Sequence, residues 1–197
     1  MVFFLKNLNM MKKYIRIVAG QYRRTPIPVV DVPGLRPTPD RVRETLFNWI
    51  HHLWSGHFDD KQVLDLFAGS GALGFEAASR GVQHVQMVEQ DPRAIAALRN
   101  LRDKLKADNV RIHAGDANHA LDRMDASRFD LIFLDPPFGK GWLDRLWPAL
   151  PGLLKPDGLV YLESEKKLNI PDNFELLRQD SAGNVHYHLV QIVAPQK

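Results

Sequence analysis

The chain has 197 residues, 45% apolar and 25% charged, enough for one domain with a buried core and too few for two enzyme-sized domains. It contains no cysteine, which excludes disulfides, thiolate metal sites and thiol nucleophiles. Its net charge of +3 is uneven: residues 1–48 carry +6 and the remainder −3, which suits either a basic head that meets a polyanion or a merely solvated arm.

The first ten residues, MVFFLKNLNM, hold an apolar run too short for the core of a signal peptide. Residues 1–13 are therefore expected to be a disordered extension, which leaves either Met1 or Met11 as the natural start. A membrane anchor is not expected, because the longest uncharged stretch, Ser181 to Gln196, is broken by Asn184, His186, His188 and Gln191. The expected location is cytoplasmic.

Two short strands come next, Tyr14 to Val18 and Thr25 to Val30, turning near Gly20. A link rich in proline, Asp31 to Pro39, leads to a helix running to about Trp54. Thr38 or Asp40 is its expected cap, and Val42, Leu46, Trp49, Ile50 and Leu53 form its apolar stripe. Arg36, Arg41 and Arg43 fall at or near that helix start, away from the stripe. From Lys61 onward strands and helices alternate. Strands are predicted at Gln62 to Phe67, Val82 to Glu89, Val110 to His113, Phe129 to Leu134 and Gly158 to Glu163, the last after a KPDG turn. Helices are predicted at Ala72 to Arg80, Pro92 to Lys106, Ala117 to Met124 and Trp142 to Leu154, the last interrupted at Pro148 and Pro151. Phe174 to Gln179 and Val185 to Val193 read as a final antiparallel pair.

This alternation predicts an α/β fold with a doubly wound, mainly parallel sheet. Such sheets bind ligands beyond the carboxyl ends of their strands, where strand order reverses. Those ends carry Asp65 with the glycine turn Gly69-Ser70-Gly71, then Glu89, then Asp116, then Asp135-Pro136-Pro137-Phe138. Gly69, Gly71 and Gly74, with Glu89 twenty residues after Gly69, also fit a nicotinamide-dependent dehydrogenase. Against that reading, Asp65 would repel a pyrophosphate, and nothing around Asp135 resembles hydride chemistry. S-adenosylmethionine, with an ammonium, a sulfonium, a ribose diol and no phosphate, suits these charges. Asp65 is expected near the ammonium, Glu89 on both ribose hydroxyls, and Asp116 on the adenine amine beside the Ala117 amide. Asp65 could instead cap its strand, and Asp116 could cap its helix while also binding. Two prolines stiffen the turn after Asp135, so a carboxylate and a carbonyl held at fixed aim can accept the N–H groups of a nucleobase amine. Phe138 can stack on that base, or the whole segment can be an ordinary turn with a buried Phe.

Four segments, RIVAGQYR (Arg16 to Arg23), GLRPTPDRVRETLFNWI (Gly34 to Ile50), LDLFAGSGALGFEAASRG (Leu64 to Gly81) and DPPF (Asp135 to Phe138), resemble the bacterial 16S ribosomal RNA guanine-N2 methyltransferases of the RsmD type. The resemblance places them in the class I S-adenosylmethionine-dependent superfamily and runs from about Tyr14 to Val193. It implies a seven-stranded Rossmann-like sheet over 61–197, with a basic, RNA-facing hairpin and helix over 14–60. It implies a cofactor site at Asp65, Phe67, Gly69, Ser70, Gly71, Glu89, Asp116 and Ala117, and a target-amine site at Asp135, Pro136, Pro137 and Phe138. Metal-free, direct methyl transfer follows, with 16S rRNA in an assembled or assembling 30S subunit as the partner of a monomer. Arg16, Arg23, Arg24, Arg36, Arg41 and Arg43 would hold phosphates, although Arg41 or Arg43 could instead pair with Glu44 or Asp40 and brace the helix. Adenine-N6 methylation of DNA or another RNA stays open, as does a noncatalytic RNA-binding assembly factor. Glu163 lies at a further strand end without an assigned role.

Overall fold

The computed structural model describes residues 14–30, 38–137, 141–165 and 168–193; the predicted extension 1–13, Arg36 and Phe138 lie outside them. A hairpin of β1 (Tyr14–Arg16) and β2 (Pro26–Pro28) precedes helix α1 (Asp40–Leu53). There follow β3 (Gln62–Asp65), α2 (Ala72–Ser79), β4 (His84–Glu89), α3 (Pro92–Leu105), β5 (Val110–Ala114), α4 (Ala117–Leu121) and β6 (Phe129–Leu134). The chain continues through α5 (Trp142–Leu146), α6 (Leu150–Leu153), β7 (Leu154–Ser164), β8 (Phe174–Ala182) and β9 (Val185–Ile192).

Seven of these strands make one sheet in the order β5-β4-β3-β6-β7-β9-β8. The first five in that order run parallel, and β9 runs antiparallel to both β7 and β8. Strand order therefore reverses between β3 and β6, so their carboxyl ends flank the crevice this topology creates. Residues alternate between the two faces with period two. Val63, Leu131, Phe133, Leu159 and Tyr161 join one core, while Leu64, Ile132, Leu134, Val160 and Leu162 join the other. Both faces are covered, which is why these strands read as continuous apolar runs.

The first core also takes in the basic head. Ile17 and Ile27 of the hairpin region and Leu46, Phe47 and Ile50 of α1 are buried in it, and the Phe47 ring meets Phe133 edge-on at 5.9 Å. Glu76 of α2, fully buried, accepts hydrogen bonds from the amides of Val18 at 2.7 Å and Ala19 at 3.1 Å. Gly20 packs so close to the carbonyl of Ser79 that a Cβ there would lie 1.9 Å from its oxygen. Only a glycine fits that turn at φ +80°.

Three local expectations need correction. Neither Thr38 nor Asp40 caps α1: Pro39 holds the cap position without a side-chain bond, because both side chains are used elsewhere. The buried stripe of α1 includes Phe47 and Arg43, whereas Leu53 is exposed. The KPDG segment does not precede β7 but loops out within it: Phe129 pairs with Leu154 and Leu131 with Leu159, with Asp157 in the left-handed region at φ +61°. Among the described residues no helix is long and apolar enough to cross a membrane.

Candidate active site

A cleft of about 680 Å³ opens at the carboxyl ends of β3, β4, β5, β6 and β7. Its floor begins where β3 ends. The loop from Leu66 to Gly71 is pinned by the Ala68 amide on the Val88 carbonyl (2.9 Å) and closes with Gly71 at φ +80°, which starts α2. Asp65 is 2% exposed and accepts from the Gly74 amide at 3.0 Å. A Cβ at Gly74 would come within 2.5 Å of Met87 and 3.1 Å of the Asp65 carboxylate, so the helix must present glycine there to let the carboxylate in. Burial pushes the Asp65 carboxyl up to about 7, opposed by the Gly74 amide and reinforced by the charge of Glu89.

Glu89, at the end of β4, accepts from three backbone amides: Gly69 at 2.7 Å on Oε2, and Gln90 and Asp91 at 2.8 Å each on Oε1. It thereby ties the glycine loop to its own turn. A carboxylate offers about four acceptor positions, so one remains, on Oε2. Asp116, after β5, caps α4 through the amides of Asn118 and His119 and meets His119 Nδ1 at 2.6 Å. That side chain, together with the amides, holds the Asp116 carboxyl below its usual range. Asp116 is thus a helix cap, and it lines the cleft as well.

Asp135 follows β6, half-buried on the cleft wall, with Pro136 and Pro137 beside it. Parallel pairing sets Leu134 against Leu162, so Asp135 and Glu163 leave adjacent strands at the same level. Asp65 stands one strand further over. Burial drives the Asp135 carboxyl well above the usual range, and the charges of Glu163 and Asp65 drive it the same way. Three carboxyl groups crowded into a sheltered crevice call for a cationic ligand. Among the described residues no set of three or more His, Asp or Glu side chains is arranged to hold a metal ion.

Sequence reasoning missed several contributors. Thr38, Pro39 and Val42 line the cleft from the head; Glu163, which the sequence set at a strand end without a role, lines it from β7. Thr38 looks in the sequence like a helix cap, which hides its bond to Glu163. Trp142 lines the cleft too. Its ring meets Phe67 edge-on at 5.2 Å, lies beneath Arg145 at 4.6 Å, and has a buried indole N–H without a partner among the described residues.

The arginines divide. Arg16, with a side chain 70% exposed, and Arg23, Arg24 and Arg41 face solvent. Arg43 does not: its side chain is 0% exposed, donating to the carbonyls of Thr38 (2.8 Å) and Arg16 and to Asp40 (2.9 Å). The expectation that Arg43 holds phosphate is therefore overturned. It braces the head, the alternative that the Asp40 pairing had left open.

A doubly wound sheet whose last strand inserts antiparallel, with a glycine cradle and acidic strand ends around one cleft, defines a methyltransferase. The chain belongs to the RsmD-type family described as Conserved hypothetical protein 95, whose model matches residues 15–191. It is 43% identical over 184 residues to "Ribosomal RNA small subunit methyltransferase D" of Escherichia coli strain K12, covering 90% of this chain and 89% of the relative. It is 37% identical over 187 residues to the Haemophilus influenzae protein of the same name, covering 91% and 95%. A solved structure, a putative methyltransferase from Escherichia coli, superposes with a TM-score of 0.80 at 41% identity, covering 92% of this chain and 99% of that one.

Proposed function

We propose that the protein transfers the methyl group of S-adenosylmethionine to the exocyclic N2 amine of a guanine in 16S rRNA, within an assembled or assembling 30S subunit in the cytoplasm. The observation that carries this reading is the alignment of Asp65, Asp135 and Glu163 on adjacent strand ends beside the glycine cradle. Guanine N2, rather than adenine N6, is implied by the family; the relatives' names supply the small-subunit rRNA.

The residues present fit that cofactor. The buried Asp65 offers a carboxylate to an ammonium, and Gly69 leaves backbone exposed in the cleft for close approach, whereas Gly71 is buried against Leu98 and Phe75 and serves the turn rather than the ligand. Glu89 has one acceptor position left for a ribose hydroxyl rather than two. Ser70, Phe67 and Ala117 complete the wall. When bound, S-adenosylmethionine supplies a methyl group on a positively charged sulfur, which is already an activated leaving group.

Positioning is what remains for this chain to do. An aromatic amine is a poor nucleophile because its lone pair is delocalised. The Asp135 carboxylate and the carbonyl that Pro136 and Pro137 hold rigid accept its two hydrogens, which favours a pyramidal nitrogen with its lone pair free. The base reaches them unpaired or flipped out, and Phe138 is the expected stacking partner. Thr38, Pro39 and Val42 bring the head to the cleft rim, so Arg16, Arg23, Arg24 and Arg41 lie on the segment that borders the entry.

Two measurements test this. Tritium from labelled S-adenosylmethionine should enter 30S subunits lacking the modification, with N2-methylguanosine as the labelled nucleoside by mass spectrometry. N6-methyladenosine would move the chemistry to the other base, and no incorporation by folded protein would remove the function. Separately, Arg16→Ala, Arg23→Ala, Arg24→Ala and Arg41→Ala should each weaken RNA binding and flatten its salt dependence by up to about one unit of log–log slope. Arg43→Ala should instead lower the melting temperature, because it leaves the buried Thr38 carbonyl and the part-buried Arg16 carbonyl without their donor.

A further inference from the structure

Glu163 is 6% exposed, lines the cleft, and has no part in the chemistry above. Its Oε1 accepts two hydroxyl hydrogen bonds, from Thr38 at 2.9 Å and from Tyr161 at 2.8 Å. Among the described residues no donor reaches its Oε2. Burying a carboxylate beside another is costly, and two hydroxyls spent on holding it there mark a selected position rather than a tolerated accident. Thr38 is doubly engaged: its hydroxyl binds Glu163 while its carbonyl accepts from the buried Arg43, which also holds the carbonyl of Arg16. An unbroken polar chain thus runs from the basic head to the side chain beside Asp135.

We propose that Glu163 is a positioning residue for the transfer: fixed by Thr38 and Tyr161 next to Asp135, it makes Asp135 the group that takes the proton from the methylated amine. This rests on the proposed methyl transfer. In that step the carbon–sulfur bond breaks as the carbon–nitrogen bond forms, and the electron pair goes to sulfur, leaving a neutral thioether. The nitrogen, now positively charged, loses one N–H proton, and an O–H bond forms on the Asp135 carboxylate. Two neighbouring carboxylates in a sheltered crevice hold one proton more readily than either alone. The two hydroxyls favour charge on Glu163, so the proton settles on Asp135, which has no comparable donors among its described neighbours. The ionisable groups acting on Asp135 are Asp65 from β3 and Glu163 and Tyr161 from β7. Asp65 opposes ionisation as Glu163 does, so the bound cation is what frees Asp135 to act.

The test uses graded shifts. Glu163→Gln keeps an oxygen for both hydroxyls and removes the charge. In the full-length, cofactor-free protein, the carbon-13 NMR midpoint of the Asp135 carboxyl should fall by about one pH unit. The acid limb of kcat on 30S subunits should move the same way, with the plateau down about tenfold and KM for the subunit little changed. Thr38→Val removes a donor that favours charge on Glu163, so part of the proton passes to Glu163 and the Asp135 midpoint and the limb should fall, by less than in Glu163→Gln; Thr38→Ser, which restores the hydroxyl, should restore both. A merely structural Glu163 predicts lower melting temperature and no movement of the midpoint, which would overturn the proposal. Should Glu163→Gln fail to fold, the Thr38 pair decides in the same way by the presence or absence of the smaller downward shift. The titration needs neither cofactor nor RNA, so an inactive wild type with shifted midpoints would count against the methyl transfer and leave the coupling of the carboxyls standing.

Discussion

Asp135→Ala should lower single-turnover methyl transfer to 30S subunits by about a thousandfold or more, while S-adenosylmethionine still binds within a few-fold of wild type. The loss combines two effects. The amine forfeits an acceptor that favours its reactive geometry, and the product forfeits its proton acceptor. Asp135→Asn keeps one acceptor oxygen and no charge, so it should fall between alanine and wild type. Neither variant should melt earlier than wild type. The carboxyl of Asp135 sits against Glu163 and Asp65, and removing it relieves repulsion among buried groups. Tritium transfer, calorimetric cofactor titration and a melting curve separate these effects. Undiminished turnover in either variant would refute the role given to Asp135.

Cofactor affinity should depend on pH in a way set by Asp65. Its carboxyl is pushed up to about 7 in the cofactor-free protein, and only the ionised form attracts an ammonium. Below that pH, binding must displace a proton, so affinity should rise about tenfold per pH unit as pH approaches 7. It should fall again above about 8, where an α-amino group loses its own charge. Calorimetry near pH 6, repeated in buffers of different ionisation enthalpy, should register close to one proton released per cofactor bound. Asp65→Asn should flatten the acid side of the profile and bind weakly throughout. Stability follows with the opposite sign. A carboxyl raised by folding contributes most below its unfolded value of about 4, and that contribution is lost as pH rises towards 7. Saturating cofactor should therefore raise the melting temperature more at pH 8 than at pH 5.

The glycine-rich segment shows why some of the site is legible without coordinates. Gly71 at positive φ and Gly74 against Met87 and Asp65 are backbone demands that few other residues meet, so they stand out as spacing. Asp65, Glu89, Asp116 and Asp135 stand out for a related reason: each ends an apolar run, and strand ends of a parallel sheet converge on one edge. Glu163 satisfied the same rule but stayed without a role, because its meaning lies in Thr38, 125 residues away. Arg43 shows the converse. A charge three residues after Asp40 looks solvent-facing on a helical wheel, yet the hairpin folds over it and supplies the Arg16 carbonyl.

Local chemistry was therefore enough to establish the alternation of strands and helices, the glycine cradle and the acidic strand ends, since each depends on a few neighbouring residues and on a period of two or of about 3.6. Tertiary structure alone decided which carboxyl groups face one another, which arginine is buried and where the head docks. Those outcomes depend on contacts between segments far apart in the chain, where burial and hydrogen bonding, not local pattern, set the energy of a polar side chain.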